Sequence, residues 1–142
     1  MIYTPQTKKA MKLCFEAHKE QSDKSGIPYV FHPIHLAEQM TDEATTVVAL
    51  LHDVVEDTDY TLQDLLEMGF SSAIVEAIGL MTHAEGVPYM DYVEKIKENP
   101  IARAVKLADL RHNSDTSRLD VIDEKAQKRA EKYRAAIAFL EE

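Results

Sequence analysis

The chain has 142 residues, 45% of them hydrophobic, with only four Gly and five Pro. That is enough apolar material for one domain with a sizeable core, and too much for a disordered segment. Sixteen Lys and Arg against twenty-five Asp and Glu leave a net charge of −9, which speaks against a general nucleic-acid binder. The single cysteine excludes an internal disulfide. With no apolar leader or membrane-length run in view, the expectation is a cytoplasmic protein without membrane attachment.

In chain order the sequence reads as helices. Thr4-Pro5 is a cap followed by proline at the first helical position, opening a helix to about residue 21. Cys14 shares helical spacing there with Met11, Phe15 and His18 and reads as core. "SDKSGIPYVFHP" is a loop broken by Gly26 and Pro28, and Pro33 restarts a helix to about residue 40. A third helix is expected over about residues 42–56, and "DTDYT" is a turn. Thr61 caps a short helix that stops near Gly69, and "SSAIVEAIGLMTH" is another with a serine cap. "AEGVPY" is a loop, residues 89–98 are helical, and Pro100 begins "PIARAVKLADLRHNS". A last helix starts near Asp123, with Ala126, Ala130, Tyr133, Ile137 and Leu140 on one apolar stripe. No run alternates with period two, so the fold class is all-α, a single domain over residues 1–142 of seven or eight helices.

The stretch "LLHDVVEDT" sets polar groups into an apolar run. On a continuous helix Val48, His52 and Glu56 stand one turn apart, with Asp53 and Asp57 one step round and Ala44, Leu51 and Val55 toward the core. An imidazole beside a carboxylate suits a borderline divalent metal such as Mn, Fe or Zn, although a core histidine bonded to a local carboxylate would read the same way. Two further segments add donors. "YVFHPIHLAEQ" carries His32 and His35, and "VKLADLRHN" carries Asp109 in an otherwise apolar helix, one turn from Val105 and Asn113. A buried lone carboxylate costs several kcal/mol unless it is paired or bound to a metal. One shared metal would account for all three segments.

"GIPYVFHP", "LLHDVVEDT" and "VKLADLRHN" together resemble the signature blocks of the HD-domain phosphohydrolases, specifically the guanosine tetraphosphate hydrolases of the Rel/SpoT and small Mesh type, over residues 5–119. The resemblance implies the compact all-α HD fold and one divalent ion, usually manganese, with iron, cobalt, zinc or nickel as alternatives. It implies His32, His52, Asp53 and Asp109 as metal ligands, and Glu56 and Asp57 as the catalytic pair. By the same match Lys24, Ser25, Asn113 and Thr116 fall at substrate-binding positions. The expected activity is metal-dependent hydrolysis of (p)ppGpp at its 3′-pyrophosphate, as in the stringent response. The expected partner is a small-molecule nucleotide, not nucleic acid or a membrane, and homo-oligomerisation is left open.

The chain departs from the family at basic positions. Ala17 stands where a basic residue precedes the histidine of the first helix, Asp23 where an arginine stacks on the guanine, and Asp115 where the third block carries arginine. Carboxylates beside a phosphate are unfavourable. Either the substrate is a less highly phosphorylated nucleotide or other phosphoester, or Lys19, Lys24, Arg103 or Arg111 restores the charge. A non-catalytic, metal-bound nucleotide sensor is the alternative of a different class. Retention of Glu56 and Asp57 argues against it.

Overall fold

A computed structural model describes residues 1–142. It contains nine α-helices, a 3₁₀ turn over Thr116–Arg118 and no strand beyond one isolated bridge between Ser22 and Pro28. Helix α1 (Pro5–His18) opens on the expected cap: Thr4 Oγ1 accepts from Thr7 N at 3.1 Å, and Thr7 Oγ1 accepts from Thr4 N at 2.8 Å. Within α1 Cys14 is buried as expected, but Phe15 is 54% exposed and belongs to the solvent side. The helix stops at His18, short of residue 21.

Helix α2 (Phe31–Glu38) begins two residues before Pro33 rather than at it. A proline in the first turn loses no helical hydrogen bond, so His32 is drawn into the helix and buried. Helix α3 (Glu43–Leu51) is capped by Asp42, whose Oδ1 accepts from Thr45 N at 2.8 Å. Residues 45 to 51 of α3 are all buried. It is the central helix, packed against α1 and α2 and against two later helices, α6 (Ser72–Leu80) and α8 (Pro100–Asn113).

The third helix does not run on to residue 56. It ends at Leu51, and a separate single turn, α4 (Val54–Asp57), follows. The backbone of Asp53 lies at φ −103° and ψ 0°, in the bridge region outside the helical well. His52 Nδ1 lies 2.7 Å from the Ala49 carbonyl, the acceptor that the Asp53 amide would use in a continuing helix. This split makes nine helices where the sequence pattern gave eight at most.

Helices α5 (Leu62–Glu67) and α7 (Tyr89–Lys97) complete the middle of the chain. Asn99 caps α8 through Ala102 N at 3.0 Å. Helix α9 (Glu124–Glu141), capped by Asp123, lies on α7 and α8 with Ala126, Ala130, Ala136 and Leu140 buried. No helix is long and apolar enough to cross a membrane.

Candidate metal centre and adjoining cavity

Three helices bring the expected donors to one point. His32 from α2, His52 from the end of α3 and Asp109 from α8 are all buried, and their ligand atoms lie within 4.8 Å of one another. His32 Nε2 is 2.8 Å from Asp109 Oδ1, and His52 Nε2 is 3.5 Å from the same oxygen. Asp53 joins from one side, its Oδ2 3.0 Å from His52 Nε2. The phenol of Tyr29 donates to that carboxylate oxygen.

The donor set fits a divalent cation. His52 Nε2 is buried without a hydrogen-bond partner: Asp53 is close but not aligned with it. An unsatisfied buried polar atom costs about 1–3 kcal/mol, and coordination would satisfy it. Its Nδ1, turned to the Ala49 carbonyl, is placed to carry the proton, which leaves the Nε2 lone pair inward. Imidazole plus carboxylate suits Mn, Fe or Zn.

Charge accumulates around this point. Burial opposes ionisation of Asp109, but Lys106 Nζ at 2.9 Å, with His32 and His52, overcomes it and holds the carboxyl well below the usual carboxylate range. Burial likewise disfavours protonated His52, yet Asp53 and Asp109 raise its pKa well above the ordinary value, so without a cation Nε2 would hold a proton that metal binding displaces. Asn113 Nδ2 donates to Asp109 Oδ1 at 3.0 Å. His112 Nδ1 meets His32 Nδ1 at 2.7 Å. Burial first, then Arg118, His32 and His35, push the His112 pKa down to about 4.

Glu56 and Asp57 sit on α4 beside this cluster. Desolvation raises both carboxyl pKa values, and the neighbouring Asp53 adds to it. Glu56 Oε1 accepts from His83 N at 3.0 Å, which ties α4 to the segment after α6.

A cavity of about 310 Å³ opens beside the donors, with Tyr29 and His32 in its wall. Lys24, Ser25, Asn113 and Thr116 all line it. Two of these also have structural partners. Asn113 holds Asp109, and the Ser25 hydroxyl joins two loops by donating to Arg118 O at 3.1 Å and accepting from Asp120 N at 3.3 Å.

The compensating charge is not where the sequence suggested, apart from Lys24. Lys19 pairs with Glu16 at 3.0 Å and Arg111 with Glu141 at 2.9 Å, and neither they nor Arg103 line the cavity. Arg118 and Arg129 do, together with Tyr133. The signal for Arg129 was its position one turn before Tyr133 on the last helix. Tyr133, on the apolar stripe of that helix, is half-buried at the cavity wall. Arg118 had no such signal, because the turn that aims it follows no periodic pattern.

The two unusual aspartates are engaged locally. Asp23 Oδ1 accepts from Ser25 N at 2.9 Å and Ile27 N at 3.0 Å, and its Oδ2 is 3.8 Å from Arg118 Nη2. Asp115 caps the 3₁₀ turn, accepting from Ser117 N at 3.1 Å and Ser117 Oγ at 2.5 Å.

A family model described as an HD domain matches residues 10–112, the span that contains every donor named above. The chain belongs to the HD-domain family. Among its relatives is the mouse (Mus musculus) guanosine-3′,5′-bis(diphosphate) 3′-pyrophosphohydrolase MESH1, 38% identical over 114 residues, covering 70% of this chain and 63% of that protein. The Escherichia coli K12 bifunctional (p)ppGpp synthase/hydrolase SpoT is 34% identical over 116 residues, covering 71% of this chain and 16% of SpoT. A probable GTP pyrophosphokinase of Mycobacterium leprae is 33% identical over 136 residues, covering 87% of this chain and 17% of that protein. This HD-domain chain thus corresponds to about one sixth of the length of the long relatives. A solved structure, described as that of a metazoan orthologue of SpoT that hydrolyses ppGpp, shares the fold with a TM-score of 0.77 at 22% identity, over 99% of this chain and 87% of that one.

Proposed function

We propose that this chain is a metal-dependent nucleotide phosphohydrolase that acts on (p)ppGpp, adding water at the 3′-pyrophosphate to release pyrophosphate and leave GDP or GTP. The observation that carries the reading is the joining of two features. A buried His/Asp donor set adjoins, through His32, a cavity whose wall carries Lys24, Arg118 and Arg129. The mouse relative's name states this activity for that protein.

In this reading His32, His52, Asp53 and Asp109 hold one divalent ion, Mn²⁺ first, with Fe, Co, Zn or Ni compatible with the donors. When bound, such an ion supplies Lewis-acid activation of water and of a phosphoryl oxygen. Glu56 and Asp57 supply the proton transfers. Their raised pKa values bring them nearer the working pH of a general acid or base. His83 N orients Glu56 through its Oε1 and leaves the second oxygen free to take a proton from water. Burial first, then Arg129, lowers the Lys24 pKa against the opposing pull of Asp123, and an anion bound at this wall would favour the charged ammonium. Thr116 and the amide of Asn113 complete the polar wall around the nucleotide. A nucleotide substrate implies a cytoplasmic setting.

Asp23 and Asp115 favour a second reading, hydrolysis of a nucleotide with fewer phosphates. One screen separates the two. Purified protein with Mn²⁺ is incubated with ppGpp, GTP, GDP and simple phosphomonoesters, and products are resolved by anion exchange. Pyrophosphate and GDP from ppGpp support the first reading. Release only from the less charged compounds supports the second. No turnover of any of them removes the enzymatic reading.

A further inference from the structure

The two histidine ligands are oriented in different ways. His52 turns Nδ1 to a main-chain carbonyl, an acceptor that no side-chain substitution removes. His32 turns Nδ1 to another side chain. Its ring and that of His112 are nearly coplanar, 7° apart with centroids at 4.9 Å, and the two Nδ1 atoms are 2.7 Å apart. Two imidazole nitrogens at that distance share one proton, because a neutral ring has one donor and one acceptor. The other nitrogen of His32 belongs to the donor set, 2.8 Å from Asp109 Oδ1. A lone pair directed inward from Nε2 requires the proton on Nδ1, and His112 Nδ1 must then accept it.

We propose that His112 is a positioning residue: its Nδ1 accepts from His32 Nδ1–H and so fixes the tautomer and ring plane in which His32 Nε2 can bind a divalent cation. The inference rests on the metal-centre reading above. His112 is well placed for this task. It lies on α8 three residues after Asp109, so one helix supplies a ligand and orients a second. Its ring packs on His35 with centroids 4.2 Å apart, and its carbonyl accepts from Arg118 Nη1 at 2.8 Å. The first contact limits the ring's freedom, and the second anchors the backbone that carries it. Partners behind metal-ligating histidines typically change metal affinity ten- to a hundredfold when removed.

The test compares His112→Leu with His112→Gln. Both lose the imidazole, but Gln keeps a side-chain acceptor, so rescue separates hydrogen bonding from packing. Mn²⁺ affinity is measured by titration calorimetry on metal-stripped protein, with thermal unfolding as the control for folding. The expected result is a ten- to hundredfold loss for Leu and a substantial recovery for Gln. Long-range proton–nitrogen correlation spectra of histidine-labelled, Zn²⁺-loaded wild type should show His32 protonated at Nδ1. Equal affinities for wild type and Leu, equal losses for Leu and Gln, or a His32 proton on Nε2 would overturn the inference while leaving the metal centre standing. A wild-type protein that binds no Mn²⁺ would overturn the metal-centre reading itself.

Discussion

Asp109→Asn tests the electrostatics of the centre without reference to turnover. The substitution keeps the shape but removes the charge opposite Lys106, whose Nζ lies 2.9 Å from Asp109 Oδ2 with side-chain exposures of 12% and 6%. Removing one partner of a buried pair costs about 3–5 kcal/mol, chiefly by stranding the other charge. Lys106 keeps some access to water and has the Tyr92 ring 5.2 Å from its ammonium, so the lower end, about 3 kcal/mol, is expected. Unfolding entropy of about 2.1 cal/mol/K per residue, taken over the chain, gives roughly 0.3 kcal/mol/K. The metal-stripped variant should therefore melt roughly 10 °C below the wild type. Adding Lys106→Met removes the stranded ammonium and should recover at least half of the loss. Thermal and urea unfolding in chelator, followed by circular dichroism, measure both steps. If the double variant is no more stable than Asp109→Asn alone, Lys106 is not the charge that Asp109 balances, and the reasoning fails.

Glu56→Gln should retain metal and slow turnover by roughly 10²–10⁴-fold, the range for loss of a general acid or base. Joint loss of metal and rate would make Glu56 a ligand instead. Arg129→Ala should lower kcat/KM for ppGpp at least tenfold through KM, about the value of one charge-assisted phosphate contact. The difference should narrow in high salt if part of it is long-range. Cys14 is buried against desolvating neighbours and near Asp53, which push its thiol up to about 12. It should therefore react with a disulfide reagent only as fast as the protein opens, with full reactivity in urea. Asp42 has its carboxyl pKa lowered from 3.8 by the hydroxyl and amide of Thr45. Its stabilisation is thus present above the unfolded-state pKa and is lost as pH falls through the folded value. Asp42→Ala should cost about 1 kcal/mol at pH 7 and progressively less in acid, read by urea unfolding across pH.

The helices were legible where local chemistry decides them. The caps at Thr4, Thr61 and Ser71 accept the first-turn amides the sequence implied, and Asp123, where the last helix was expected to start, does the same. The break after Leu51 was not legible, because no Gly or Pro marks it. It coincides with His52 facing the Ala49 carbonyl, an orientation that periodicity does not specify. Phe15 failed for a related reason: helical spacing with core residues does not say which edge of a stripe a neighbour covers. His32, His52 and Asp109 could be picked out singly as polar groups in apolar runs. Their convergence needed three helices to pack, which periodicity does not encode. Arg118 lay outside any signal, since a 3₁₀ turn capped by Asp115 sets its direction.

The acidic residues at 23 and 115 then take on a different meaning from the one their charge suggests. Their charge still counts against each added phosphate, but it is not their only role. In the structure each is committed to a loop: Asp23 holds the amides of Ser25 and Ile27, and Asp115 holds Ser117. Asp23 also approaches Arg118, which a hydrogen bond to the His112 carbonyl keeps in the cavity wall. An arginine placed at position 23 would lose both amide contacts and face Arg118 across the same gap. The exchange would remove the loop's own caps before adding any contact to a nucleotide, so Asp23→Arg is not a simple gain of charge. Positive charge in this cavity comes instead from Lys24, Arg118 and Arg129, two of them beyond the matched HD-domain span. The centre is built by α2, α3 and α8, while the segment after α8 supplies much of the charge that a nucleotide would meet. Substitution of Arg129, which makes no contact with the donor set, should therefore alter substrate preference with little effect on metal affinity.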